Sequence, residues 1–175
     1  SAKRPPATVP SFDPSDIFAA LNKARIKYLV VGGVAVVLHG VDRFTWDVDL
    51  SVELTVPNVK RLALAMKQLG FDPRLPAPIE GLADPALRKL WTTRRGMEVY
   101  SFIERKPPGR VVDVMVTPLK GFDQIYARRV MMHPHRISVP LVPIDVLIAM
   151  KRRAGRPQDL FDIERLEALQ KHGRR

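Results

Sequence analysis

Asp47 and Asp49 stand one residue apart in the segment VVGGVAVVLHGVDRFTWDVDL, residues 30–50, and a third carboxylate, Asp113, lies in the alternating run RVVDVMV. Carboxylates at i and i+2 of a strand share a face, so Asp47 and Asp49 converge while Val48 and Leu50 point to the core. Left unpaired they repel one another, the more so in a low dielectric. A hard divalent cation relieves that conflict, and Mg²⁺ is usually held by one or two carboxylates together with substrate phosphates. The same parity sets Asp113 on a face with Val111 and Met115. If its strand lies beside that of Asp47 and Asp49, three carboxylates meet. Three can hold two ions roughly 3.5–4 Å apart, the arrangement that supports in-line phosphoryl or nucleotidyl displacement. The competing reading is an ordinary ion-paired face, with Arg43, Arg94 or Arg95 as counter-charges.

Gly32 and Gly33 lie just upstream, where an apolar run passes into a helix. Glycine lets the backbone approach an anion closely, and the free N–H groups of a helix start point at it with the positive end of the dipole. Further along, Lys151 suits a β- or γ-phosphate because it acts there as a point charge. Its neighbours Arg152 and Arg153 equally describe a solvated basic face. Asp159 and Asp162, at i and i+3, share one helical side, where one of them orients Lys151 or Arg156. Asp159 also fits the common pattern of an acid in the first turn of a helix. His133 and His135 read as loop residues and His39 as a packed, hydrogen-bonded histidine. Met131, Met132 and the scattered aromatics read as core, or at most as the rim of a base pocket.

The elements that must position these groups follow from periodicity and punctuation. Asp13 as N-cap and Pro14 at the first position open a helix reaching residue 25, and residues 28–31 form a short buried strand. A helix over 34–39 is closed by Gly40, and 47–53 alternate as a half-buried strand. An amphipathic helix covers 55–69, and 71–85 are irregular. Asp84 and Pro85 start a short helix that carries Leu87, Leu90 and Trp91. Strands over 97–103 and 111–116 form a hairpin through ERKPPGR. A helix over 119–128, a strand over 137–142 and two helices opened by Pro143 and Pro157 complete the chain. The fold class expected is α/β (α+β): a mixed sheet flanked by helices, with residues 13–175 as one domain, a helical C-terminal segment over 143–175 and a mobile proline-rich tail over 1–12.

With 175 residues, 46% hydrophobic and 27% charged, the chain has the composition of a soluble globular domain. The absence of cysteine excludes disulfides, thiolate metal sites and a cysteine nucleophile, and fits a cytoplasmic setting. No apolar run approaches the ~20 residues of a membrane span, so no membrane partner is expected. The net charge of +11 points to a polyanionic partner. Arg88, Lys89, Arg94, Arg95, Arg105, Lys106 and Arg110, around the hairpin, would supply a phosphate-backbone track.

Taken together, an apolar run ending in Gly32-Gly33, thirteen residues, Asp47-Val48-Asp49-Leu50 and a later strand Asp113 resemble the DNA polymerase β-like nucleotidyltransferase superfamily. The form GGVAVVLHGVDRFTWDVDL, with Arg43 and Thr45 as its Arg-x-Thr, and the C-terminal AMKRRAGRPQDLFDIERL are similar to the AbiEii-type branch, the nucleotidyltransferase toxins of bacterial toxin–antitoxin systems. The resemblance covers about residues 26–54, 110–116 and 143–169. It implies a minimal nucleotidyltransferase fold and transfer of NMP from an NTP to an acceptor hydroxyl, with Mg²⁺, or Mn²⁺ in its place. It also implies site roles: Asp47, Asp49 and Asp113 as catalytic metal ligands, Asp113 also as base, and Gly32 and Gly33 at the phosphates. Arg43, Thr45, Lys151, Arg156 and Asp159 fill out the nucleotide site, although Thr45 is equally a plain strand residue. Many relatives carry Gly-Ser where this chain has Gly-Gly, so a serine contact to phosphate is missing. The acceptor it favours is RNA, particularly a tRNA 3′ end, with a cognate toxin or antitoxin protein as a further partner. A protein hydroxyl, a small molecule, or binding without catalysis are the rivals.

Overall fold

The computed structural model describes residues 12–173. Within them the chain begins with α1 (Ser15–Lys23), β1 (Tyr28–Val31), α2 (Gly32–His39), β2 (Asp47–Val52) and α3 (Val56–Leu69). A short β3 (Phe71–Pro73) and a 3-10 turn at Ile79–Ala83 lead to α4 (Pro85–Arg95), followed by the hairpin of β4 (Val99–Glu104) and β5 (Val111–Met115). Then come α5 (Phe122–Ala127), β6 (Val130–Met132), β7 (Val139–Leu141), α6 (Ile144–Ala154) and α7 (Pro157–His172).

The strands make one mixed sheet in the order β3-β4-β5-β2-β1-β7-β6. β1 runs antiparallel to β2, and β2 runs parallel to β5. A parallel pair needs a long crossover, and here everything from α3 to β4 supplies it. The core is the apolar half of each strand's alternation: Val48, Leu50 and Val52 from β2, and Val112 and Val114 from β5, are all buried. β1 is buried along its whole length, as a central strand covered on both faces must be. Helices α2, α6 and α7 pack together, while α1, α3, α4 and the 3-10 turn form a second group. Asn58, fully buried at the start of α3, accepts from Lys27 N and donates to Lys27 O and Glu53 O. Its amide thereby fastens α3 to the chain around β1 and β2.

The mixed sheet flanked by helices, with a helical C-terminal end, is the expected fold class. Details differ where local signals are weak. α2 begins at Gly32 rather than Val34, so the two glycines are its first turn. Pro14, not Asp13, caps α1, and Asp13 instead accepts from the Ser15 amide at 2.9 Å. The irregular segment after residue 70 holds β3, and Met131 lies half-exposed in β6 instead of in the core. The tail expected over residues 1–12 lies outside the described residues, except for Phe12, which packs against the core. His39 meets its expectation: Nε2 lies 2.8 Å from Val142 O, and burial holds its pKa below the usual imidazole value. Among the described residues, no helix is long and apolar enough to cross a membrane.

Candidate active site

Register does the first part of the assembly. The parallel ladder pairs Asp49 on β2 with Asp113 on β5, and Asp47 with Val111. Neighbouring strands are ~4.8 Å apart and side chains alternate faces, so all three aspartates share one side of the sheet. The antiparallel ladder pairs Val31 with Asp49, which sets the turn from β1 into α2 directly against the carboxylates. Gly32 has φ +65°, and a Cβ there would fall 2.7 Å from Asp49 Cγ. A Cβ on Gly33 would fall 2.6 Å from Thr45 Oγ1 and 3.2 Å from Arg43 Nη2. The first turn of α2 is therefore bare because β2 and the loop before it lie on it. No side chain caps that turn, so its N–H groups remain for a ligand.

The charges on this face are unbalanced. Among the described residues no Lys or Arg forms an ion pair with Asp47, Asp49 or Asp113. Of the counter-charges considered for them, Arg43 pairs instead with Asp162. Burial, then the charges of Asp113 and Asp47, push the Asp49 carboxyl up to about 7, against the pull of Lys151 and Arg156. Asp47 is raised in the same way by burial and Asp113, with Arg74 opposing. Asp113 instead accepts a 2.5 Å hydrogen bond from the Ser101 hydroxyl on β4. As a result the three carboxylates share a face without forming a ready cage. Among the described residues, no three Asp, Glu or His side chains are gathered closely enough to hold an ion by themselves. The donor set still fits a hard cation that arrives with a polyphosphate, whose oxygens complete the coordination.

The opposite wall is basic and largely locked. Lys151 is buried, its Nζ 2.8 Å from Asp162 Oδ2 and 3.2 Å from Asp159 Oδ1. Asp162 also receives Arg43 Nη1 at 2.7 Å, and Asp159 receives Arg156 Nε at 2.8 Å. Burial works against the charge of Asp159, yet hydrogen bonds from Arg156 and Lys151 outweigh it and hold its pKa below the ordinary carboxylate value. The Lys151 ammonium is thus not a free point charge on a helix face; it is the centre of a five-residue chain of alternating charge. Arg156, three-quarters exposed, is the cation of that chain that reaches open solvent.

All ten residues singled out by sequence (Gly32, Gly33, Arg43, Thr45, Asp47, Asp49, Asp113, Lys151, Arg156 and Asp159) line one cleft of about 500 Å³. Sequence reasoning missed Leu147 and Met150, which join Met115 as its apolar wall, and gave the aromatics, here Phe44 and Trp46 at its edge, as core or at most the rim of a base pocket. Those two rings are exposed and meet edge to face at 4.5 Å. Their alternation with Arg43 and Thr45 was the available signal. Of the seven residues of the basic track expected around the hairpin, three are engaged: Arg105 pairs with Asp72, Arg110 with Asp16 and Glu104, and Arg88 donates to Leu82 O.

No protein-family model matches the chain, and no curated protein matches it. Solved structures do. The lincosamide antibiotic adenylyltransferase LnuA, lincomycin-bound, superposes with a TM-score of 0.59 at 13% identity, over 87% of this chain and 93% of that one. ANT(2″)-Ia in complex with adenylyl-2″-tobramycin gives 0.54 at 13% identity, over 91% and 93%. An antigenic nucleotidyltransferase-like protein from Paracoccidioides brasiliensis gives 0.54 at 20% identity, over 89% and 72%. At these identities the likeness is one of architecture, and in architecture the chain has the nucleotidyltransferase fold.

Proposed function

We propose that the chain is a Mg²⁺-dependent nucleotidyltransferase that transfers NMP from an NTP to an acceptor hydroxyl and releases pyrophosphate. The observation that carries this reading is the carboxylate face: Asp47, Asp49 and Asp113, without a counter-cation among the described residues, opposite a bare Gly32-Gly33 helix start in one cleft. Asp47 and Asp49 would hold the cation, with Asp113 beside them. A bound Mg²⁺ supplies charge neutralisation on the triphosphate and acidifies an attacking hydroxyl. The helix start and Thr45 receive phosphate oxygens, Arg156 and Arg43 offset their charge, and the Met115–Leu147–Met150 wall excludes water. Asp113, already holding a hydroxyl in Ser101, takes the proton of the acceptor. Positioning and charge provide most of the acceleration, as in phosphoryl transfer generally.

For the acceptor, the net charge of +11 favours RNA, with a tRNA 3′ end as the specific case. The AbiEii-like motifs add a toxin–antitoxin role in the cytoplasm, with a partner protein from a neighbouring gene. Two of the structural neighbours are named as acting on antibiotics, which makes a small-molecule hydroxyl the second reading. The cleft carries Arg43, Lys151 and Arg156 along one wall and the carboxylates of Asp47, Asp49, Asp113 and Asp159 around them, a lining that also accepts a cationic drug. The test is a reaction of α-labelled NTP with total cellular RNA and protein, divided between RNase and protease before electrophoresis. Label lost to RNase, and absent with Asp49→Asn, is the expected result. Label that survives RNase and vanishes with protease assigns a protein acceptor instead. No label in the RNA or protein fraction, nor on small-molecule acceptors added to the same reaction, with any NTP overturns nucleotidyl transfer.

A further inference from the structure

Phe44 and Trp46 flank Thr45 in the loop that leads into β2, and both rings line the cleft that holds the carboxylates. They are 58% and 49% exposed, on a chain that buries its other tryptophan, Trp91. They meet edge to face, with centroids 4.5 Å apart and planes at 85°, a contact that uses the edge of one ring and leaves flat ring faces for a third aromatic. The loop that carries them is held in place from two sides. Arg43 donates from Nε to Phe44 O at 3.1 Å and from Nη1 to Asp162 Oδ2 at 2.7 Å, and Thr45 Oγ1 lies 2.6 Å from the point where a Cβ on Gly33 would stand. Asp162, fully buried, has a further partner. Its Oδ1 accepts from Gln158 Nε2 at 3.2 Å, so one carboxylate joins Gln158 on α7 to the loop of the two rings. An ionised carboxylate only accepts, which turns the Gln158 amide nitrogen to Asp162 and its Oε1 away from it. Gln158 lines the same cleft.

Two exposed rings and a directed amide oxygen have no part in holding phosphate or cation. They are the two means by which a base is held, stacking on its face and a hydrogen bond at its edge. Their place in the chain suits the donor nucleotide. Trp46 precedes Asp47 by one residue, ~3.3 Å along a strand, and in an NTP a single ribose separates the base from the α-phosphate. We propose that Phe44, Trp46 and Gln158 form the base subsite of the NTP, and that this subsite selects adenine. The rings stack the base and favour the larger face of a purine. Gln158 Oε1 accepts from the exocyclic amine at C6, where guanine presents a carbonyl oxygen that it repels. This rests on the nucleotidyl-transfer reading and names its nucleotide substrate.

The test uses the full chain with Mg²⁺ and measures binding of ATP, GTP, the triphosphate of unsubstituted purine riboside, and inorganic tripolyphosphate. Because Trp91 is buried, acrylamide quenching of tryptophan fluorescence reports on Trp46. ATP is expected to shield Trp46 from acrylamide and tripolyphosphate to leave it open, although the two compete. Trp46→Leu is expected to weaken ATP about tenfold, as loss of a stacked base does, and to leave the tripolyphosphate Kd in place, which also shows that the variant is folded. Gln158→Leu is expected to weaken ATP severalfold, down to the affinity of purine riboside triphosphate, and to leave the latter unchanged. Unaltered ATP affinity in both Trp46→Leu and Phe44→Leu overturns the subsite, while tripolyphosphate binding leaves the enzyme reading standing. Equal binding of ATP and GTP by the unaltered chain overturns the choice of adenine. Shielding of Trp46 by an oligoribonucleotide and not by ATP gives the rings to the acceptor and overturns the base subsite. A chain that binds neither ATP nor tripolyphosphate fails at the enzyme reading, and the subsite falls with it.

Discussion

Gly32 is confined to glycine by two separate constraints, its φ of +65° and the Asp49 carboxylate over its α-carbon. Gly96 has φ +59° with nothing within 4 Å of the point where a Cβ would stand, so it isolates the first constraint. Gly96→Ala should cost only the left-handed penalty, ~1–2 kcal/mol. Gly32→Ala should cost that plus displacement of Asp49, visible as a larger fall in the denaturant midpoint together with loss of NTP binding. Equal effects at both positions would remove the argument that the turn is shaped by Asp49. The carboxyl of Asp49 allows a sharper test. With its pKa near 7 in the folded chain against about 3.9 unfolded, the folded state holds the extra proton between about pH 4 and 7. Stability from this group is therefore complete below pH 4 and lost as pH rises through 7. In chelator, Asp49→Asn should match the unaltered protein near pH 4 and exceed it at pH 8 by on the order of 1–3 kcal/mol. A variant less stable at pH 8 would show that Asp49 is held by a partner and is not under strain.

Helices α6 and α7 close the cleft through charge: Lys151 on α6 meets Asp159 and Asp162 on α7, and Asp162 reaches back to Arg43 before β2. Removing one member of a buried charge set leaves the others uncompensated, typically at about 3–5 kcal/mol. Lys151→Met should therefore lower the melting temperature markedly, with Asp162→Asn close behind, whereas Arg156→Gln, on an exposed side chain, should weaken NTP binding with little change in melting. Unchanged melting in Lys151→Met would return Lys151 to the role of a free phosphate ligand. The two C-terminal helices, β2 and its Asp pair could be read from sequence because each rests on period or punctuation within a dozen residues. The strands β3 and β6, three residues each, are too short to show a period and are fixed only by pairing with β4 and β7. The i,i+3 spacing of Asp159 and Asp162 showed that they share a side. That Asp162 is completed by Arg43, 119 positions away, is a tertiary fact with no local trace. So too is the Ser101–Asp113 bond, since nothing in VYSFIE marks its serine as facing a carboxylate.

Across the whole molecule the excess of 29 basic over 18 acidic residues divides into cations that hold the fold and cations left for a partner, and Arg110 belongs to the first group. Its guanidinium donates to Asp16 Oδ1 at 2.6 Å and Oδ2 at 2.8 Å, to Glu104 Oε1 at 2.7 Å and Oε2 at 2.8 Å, and to Asp13 O at 2.9 Å. It also lies 5.7 Å from the centre of the Phe71 ring. One side chain thus joins α1, β3 and the end of β4. Hydrogen bonds from Arg110 hold the carboxyls of Asp16 and Glu104 below their ordinary values. For carboxylates lowered in this way, the contribution is fully present above the unfolded values near 4 and is lost as pH falls through the folded ones. Hydrogen bonds to charged groups contribute ~1.5–3 kcal/mol, and the half-exposed Asp16 is screened towards the low end. Arg110→Met should therefore cost about 2 kcal/mol at pH 7, and the gap to the unaltered protein should close as pH falls below the unfolded values and the acids protonate. Urea unfolding across that range measures it directly. A gap that stays constant as the acids protonate would mean that Arg110 acts through its packing on Phe71, with the two carboxylates contributing nothing.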